Sequence, residues 1–136
     1  MKNLIDKWIS WSPYIHGLLR IVSAFMFITA GSMKLFAFPI GMPPEGGTVQ
    51  LLSQMGLGAI LEFFGGLLLL LGLYTRPVAF ILAGEMAVAY FQFHFPQNFW
   101  PIINGGQPAI LYCFLWLYFS AAGAGAWSID AWRKKL

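Results

Sequence analysis

Three charged side chains stand inside long apolar runs: Arg20, Glu62 and Glu85. A charge at the centre of a membrane helix costs on the order of 2.5–3.5 kcal/mol on insertion scales, so such groups normally face a bundle interior and pair there. At 1.5 Å per residue from the basic ends of their runs, Arg20 lies about 9 Å deep, Glu85 about 12 Å and Glu62 about 18 Å. An arginine at that depth could bridge to either carboxylate. Two acids beside one guanidinium leave one surplus acid, which desolvation can keep protonated at neutral pH. Proton sharing is the chemistry such a trio offers. The plainer alternative is an ion pair that locks helix packing, and the sequence leaves both open.

A second group gathers where the apolar runs end. Lys34 closes the first run and His94 the third, followed by Phe95-Pro96-Gln97-Asn98-Phe99-Trp100-Pro101 and then Asn104-Gly105-Gly106-Gln107. Lys34, His94, Trp100 and Asn104 are the candidate ligand-binding residues. A polar-ringed aromatic pocket built from them could hold a flat amphipathic ligand such as a quinone headgroup. An interfacial aromatic belt is the competing reading. His94 comes nine residues after Glu85, so on a regular helix it points the opposite way unless Pro96 disturbs the last turn.

Other chemistries are excluded or unsupported. His16 and His94 lie about 3 Å and about 25 Å from the same edge, too far apart to ligate one haem. No spacing of His, Cys and carboxylates suggests a metal site. The single cysteine, Cys113, can form no internal disulfide and no dithiol pair. No catalytic residue is assigned, and neither a metal nor a covalently bound cofactor is expected.

The elements that must position these residues follow from composition. Of 136 residues, 59% are hydrophobic and 10% charged, whereas a soluble domain carries roughly 25% charge. Thirteen charged residues, eight basic and five acidic, could not cover a soluble surface. The chain therefore reads as a single all-α domain over 1–136, an integral membrane four-helix bundle. Runs of the required length, about 20 residues, lie at about 14–36, 56–74, 77–95 and 107–124. Thr75-Arg76 alone joins the second and third, which makes a tight hairpin. Within the runs, Gly17, Arg20, Ala24, Phe27, Gly31 and Lys34 form one stripe. Gly58, Glu62, Gly65 and Gly72 form another, and Ile81, Glu85, Ala89 and Gln92 a third. Small residues at this spacing let helices approach closely.

Residues 3–12 are too polar to span. Leu4, Ile5, Trp8 and Ile9 share one side, which predicts an amphipathic helix lying in the membrane interface. Four spans place Lys2, Lys7, Arg76, Arg133, Lys134 and Lys135 on one face, and the excess of basic residues makes it the cytoplasmic one. Both termini are then cytoplasmic in a multi-pass protein of the plasma (inner) membrane. The net charge of +3 sits in these flanking clusters, which suit anionic lipid headgroups rather than nucleic acid.

The order of pieces is similar to the DoxX family of small membrane proteins. The resemblance rests on Leu19-Arg20-Ile21 leading to Ala30-Gly31-Ser32-Met33-Lys34-Leu35-Phe36, and on the stretch from Glu62-Phe63-Phe64-Gly65-Gly66 to Tyr74-Thr75-Arg76. It continues in His94-Phe95-Pro96, Asn104-Gly105-Gly106 and Trp127-Ser128-Ile129-Asp130. It implies a four-helix membrane bundle linked to quinone-coupled oxidation of thiosulfate or to membrane oxidoreductase complexes. The expected function is an accessory subunit of a respiratory or quinone-coupled complex, working with other membrane subunits or as a homo-oligomer. The alternatives are a small oligomeric transporter or proton-conducting module, and a purely structural assembly subunit.

Overall fold

The computed structural model describes residues 1–136 and contains helices, with a lone bridge between Met42 and Gly47 as its only strand-like pairing. The helices are α1 (Lys2–Ser10), α2 (Ser12–Phe36), α3 (Gln54–Leu71), α4 (Thr75–Ala89), α5 (Pro101–Asn104), α6 (Gln107–Ala122) and α7 (Ile129–Arg133). Two of them, α2 with 25 residues and α3 with 18, are long and apolar enough to cross a membrane. The chain divides into two compact units, residues 1–75 with 124–136, and residues 76–123.

In the first unit α2 packs along α3. The buried side of α2 includes Gly17, Arg20, Ala24, Phe27 and Gly31, the stripe read from the sequence. A Cβ added at Gly31 would stand 2.6 Å from the Phe63 amide nitrogen, and one at Gly66 2.7 Å from Ile28. The helices therefore touch backbone to backbone, a contact open only to small residues. In α3 the expected stripe holds at Glu62, Gly65 and Gly72, whereas Gly58 is half-buried and Gly56 takes its place inside. The cause is a π-helical turn at Leu61–Gly65. An i→i+5 turn takes up an extra residue, so one stripe of constant period cannot run through it.

The ends of α3 are set by local chemistry. The Ser53 hydroxyl accepts from the Gly56 amide at 3.0 Å and caps the start. At the other end Gly72 is left-handed (φ +64°), with the Leu73 amide bonded to the Leu68 carbonyl and the Gly72 amide to that of Leu69. This is a Schellman ending, which wants glycine at that position. The helix α1 buries nothing, and Leu4, Trp8 and Ile9 are each 64% exposed.

In the second unit α4 runs into a π-helical turn at Tyr90–His94. Its buried side is Ala79, Leu82, Ala83 and Met86, not the expected Ile81, Glu85, Ala89, Gln92. Ile81 and Gln92 are exposed, and Glu85 and Ala89 are half-buried. Packing selects small and flexible apolar side chains for the core, while Glu85 keeps one carboxylate oxygen, Oε2, out of solvent. The core of α6 is Trp116 and Phe119, both fully buried, with Tyr112 stacked on Trp116 at 5.7 Å. Arg76 donates to the carbonyls of Ser120 and Ala121 at the end of α6, where a cation suits the exposed carbonyl dipoles.

The surface inverts the pattern of a soluble domain. Phe25 and Phe114 point outward at 61% and 65% exposure, while Arg20 and Glu62 lie inside at 0% and 3%. An apolar exterior with the buried charges turned inward is the arrangement that a lipid solvent favours.

Candidate functional site

The first cluster is built around Arg20, in the second turn of α2's buried stripe. All five of its N–H groups donate to main-chain carbonyls. Nε donates to Ala124 at 2.9 Å, Nη1 to Leu69 and Leu70 at 2.7 Å each, and Nη2 to Ala126 at 3.1 Å and Trp127 at 2.8 Å. Guanidinium has five donors, so none is left over. Leu69 and Leu70 lie in the last turn of α3, where the carbonyls keep lone pairs to offer and the dipole is negative. The expected bridge from Arg20 to a carboxylate is thus corrected: carbonyls hold this arginine.

The segment that supplies three of those carbonyls is itself tied down. Gly17 and Gly72 let it come close: a Cβ on Gly17 would stand 2.6 Å from the Ala126 oxygen, and one on Gly72 would collide with Ser128. The Asp130 amide donates to the Gly72 carbonyl at 2.9 Å. The Asp130 carboxylate accepts from the amides of Tyr74 and Thr75, at 2.9 Å each, where α4 begins. Partial burial pushes this carboxyl up, but the two amides and the charge of Arg133 outweigh it and hold it below the usual carboxylate range. Sequence reasoning singled out Asp130 only as part of a resemblance. The available signal was Thr75-Arg76-Pro77, a helix start with no Asp, Asn or Ser beside it to cap it.

The second cluster joins α2 to α3. Lys34 Nζ donates to both carboxylate oxygens of Glu62, at 2.7 and 2.8 Å. Glu62 lies in the π-helical turn and its side chain is 4% exposed, against 22% for Lys34. Phe36 packs edge-on against Phe63 at 5.2 Å beside the pair. The Val49 amide donates to the Lys34 carbonyl at 2.9 Å, pinning the connecting loop there. Glu62 therefore faces lysine rather than Arg20. This corrects the expected trio, and it assigns Lys34 a partner within the chain where a ligand was expected. Glu85 is half-buried on α4 in the other unit.

The third cluster belongs to the second unit. Asn104, 5% exposed, ends α5. Its Nδ2 donates to the Asn98 carbonyl at 2.8 Å and to the Tyr90 hydroxyl at 3.3 Å, and its Oδ1 accepts from the Gly106 amide at 2.8 Å. Its own carbonyl lies 3.0 Å from His94 Nδ1. Asn104 is thus fully used in shaping the turn and orienting His94. Tyr90 stacks near-parallel on His94, with 6.3 Å between centroids and 22° between planes. The π-helical turn that carries both shifts the phase of the helix end, which the nine-residue count from Glu85 could not include. Trp100 is 60% exposed and meets Phe99 edge-on at 5.3 Å. His94 and Asn104 come together directly, and Trp100 stands at the outer end of the same run of rings. Tyr90 was not foreseen, and Asn98 figured only as one residue of the polar-aromatic run after His94.

Buried polar side chains on outwardly apolar helices suit a membrane protein, and sequence comparison supplies the family. The DoxX family profile matches residues 16–95. The chain is 46% identical over 131 residues to a Haemophilus influenzae protein described as uncharacterized, covering 94% of this chain and 95% of that one. It is 33% identical over 125 residues to the inner membrane protein YqjF of Escherichia coli K12, covering 85% and 89%. The chain belongs to the DoxX family. No solved structure matches it significantly.

Proposed function

We propose that this DoxX-family protein is a multi-pass subunit of the inner membrane, a four-helix bundle with both termini cytoplasmic. In this reading it serves a respiratory or quinone-coupled redox complex as an accessory subunit and has no metal or cofactor of its own. The observation that carries the accessory role is the closure of Arg20 and Glu62 by partners within their own unit. Arg20 is satisfied by five carbonyls and Glu62 by one lysine. Groups so committed hold helices together. The redox partner and the quinone are supported by two things: the family resemblance and the half-exposed imidazole of His94 beside a run of aromatic rings. The inner-membrane placement is supported by YqjF, whose name carries that location.

The test is purification from native membranes in mild detergent, followed by mass spectrometry of proteins and extractable lipids. A stoichiometric redox partner is the expected result. Recovery of this chain alone as a homo-oligomer without quinone would move the function to transport.

A further inference from the structure

We infer that His94 is the acceptor of a site for a phenolic hydroxyl, so that the protein binds the reduced, hydroquinone form of a membrane quinone in preference to the oxidised form. The inference rests on the quinone-coupled reading above and deepens it. It begins with one hydrogen bond. His94 Nδ1 lies 3.0 Å from the Asn104 main-chain oxygen. A carbonyl oxygen can only accept, so the proton is on Nδ1. In the neutral imidazole the other nitrogen, Nε2, is then an acceptor with a lone pair and no hydrogen to give.

The surroundings keep that assignment in place. The Asn104 side chain makes three hydrogen bonds within residues 90–106, so its carbonyl has no freedom to turn away. Tyr90 holds the ring plane by stacking, and Gly106 makes room for Tyr90: a Cβ there would stand 2.5 Å from the phenol ring. His94 itself remains half-exposed. Next to it Tyr90, Phe95 and Phe99 form successive ring contacts at 6.3 Å each, ending on Trp100. Phe95, Phe99 and Trp100 are 42%, 67% and 60% exposed. Such edges and faces suit a flat apolar ring. They supply affinity without regard to redox state, and Nε2 supplies the discrimination. A hydroquinone hydroxyl can donate to it, whereas a quinone carbonyl meets it lone pair to lone pair. A site built around one obligatory hydrogen bond rejects the analogue that cannot make it.

The test uses the full-length protein in lipid nanodiscs. A short-chain ubiquinol and its ubiquinone are titrated separately under oxygen-free conditions. One hydrogen bond made or missed changes affinity by about tenfold, so the quinol is expected to bind about ten times more tightly. His94→Phe, which keeps an aromatic ring for Tyr90 and removes the acceptor, is expected to bring the two affinities together. A second measurement needs no variant. The chain has two histidines, His16 and His94, so 15N-histidine labelling gives two imidazoles to follow. The His94 Nε2 resonance is expected to move with quinol and to stay with quinone. Equal affinities for the two forms, or an Nε2 signal silent to quinol, would overturn the assignment. The underlying reading fails differently. A chain that co-purifies with a redox partner while Nε2 ignores quinol keeps the accessory role and loses this site. One that binds quinol at Nε2 but never finds a partner does the reverse.

Discussion

A buried charge is costly alone and tolerable in company, and the Lys34–Glu62 pair puts that rule to use. Removing one partner leaves the other charged, desolvated and unanswered, at about 3–5 kcal/mol, whereas replacing both by apolar groups of like shape is often close to neutral. Lys34→Met or Glu62→Leu alone is therefore expected to lower the melting temperature in detergent sharply. The Lys34→Met, Glu62→Leu double variant is expected to recover most of the loss. If the double is as damaged as the worse single, the pair does not act as a unit. Asp130 makes a second residue-level case. Its carboxyl is held below its ordinary range, so the stabilisation it gives is fully present above the unfolded value of about 3.9 and is lost as pH falls through the folded one. Asp130→Asn is expected to be less stable than the parent at pH 7, by about 0.3–1 kcal/mol for a charge at a helix start. The gap should close in acid, and paired melts at pH 7 and below pH 4 check it. Which charges would be buried was partly legible at this scale, since Arg20 and Glu62 lie inside, whereas the burial of Asn104 was not. Nor was who pairs with whom. Main-chain carbonyls are invisible to a search for charged side chains, and they hold Arg20.

Among the helices, small residues set the distances. Gly31 and Gly84 make a controlled comparison, since both lie in apolar helices and only one faces a neighbour. A Cβ on Gly31 would stand 2.6 Å from the Phe63 nitrogen, whereas nothing lies within 4 Å of one on Gly84. Gly31→Ala is expected to force α2 and α3 apart, at about 1–3 kcal/mol as for other overpacked contacts. The same shift would pull Lys34 off Glu62, three residues further along. Gly84→Ala should be neutral or gain up to about 1 kcal/mol, because alanine gives up less backbone entropy in a helix. Thermal unfolding of the two variants decides the matter, and equal effects would remove the special place of Gly31. The stripe through Gly31 was readable because α2 keeps one helical period throughout. The stripes on α3 and α4 were read less well. A π-helical turn interrupts the period in one, and in the other Ala79, Leu82, Ala83 and Met86 form the buried face, with Glu85 only half-buried.

At the scale of the whole molecule the number of crossings fixes which loops face which side. Length separates the helices: α2 and α3 pass the requirement for a span, but α6 has 16 residues. At 1.5 Å per residue that is about 24 Å, short of a hydrocarbon core of about 30 Å. Two features make a crossing by α6 reasonable. Thinning of the bilayer around a short helix costs only fractions of a kcal/mol per Å. Arg76 also answers the last carbonyls of α6, so its end need not reach water for their sake. Four crossings and two crossings make opposite forecasts for one residue. Both put the loop at Glu45 outside if the basic termini are inside. With four, Gln97 is also outside; with two, it shares the cytoplasm with the termini. In a Cys113→Ser background, single cysteines introduced as Lys7→Cys, Glu45→Cys and Gln97→Cys can be tested with a maleimide that does not cross membranes. The expected pattern in intact spheroplasts is labelling at 45 and 97 and none at 7 until the membrane is opened. Protection at 97 alongside labelling at 45 would reduce the protein to two crossings. It would also put the His94 cluster on the cytoplasmic side, where a quinol would have to meet it from the inner leaflet.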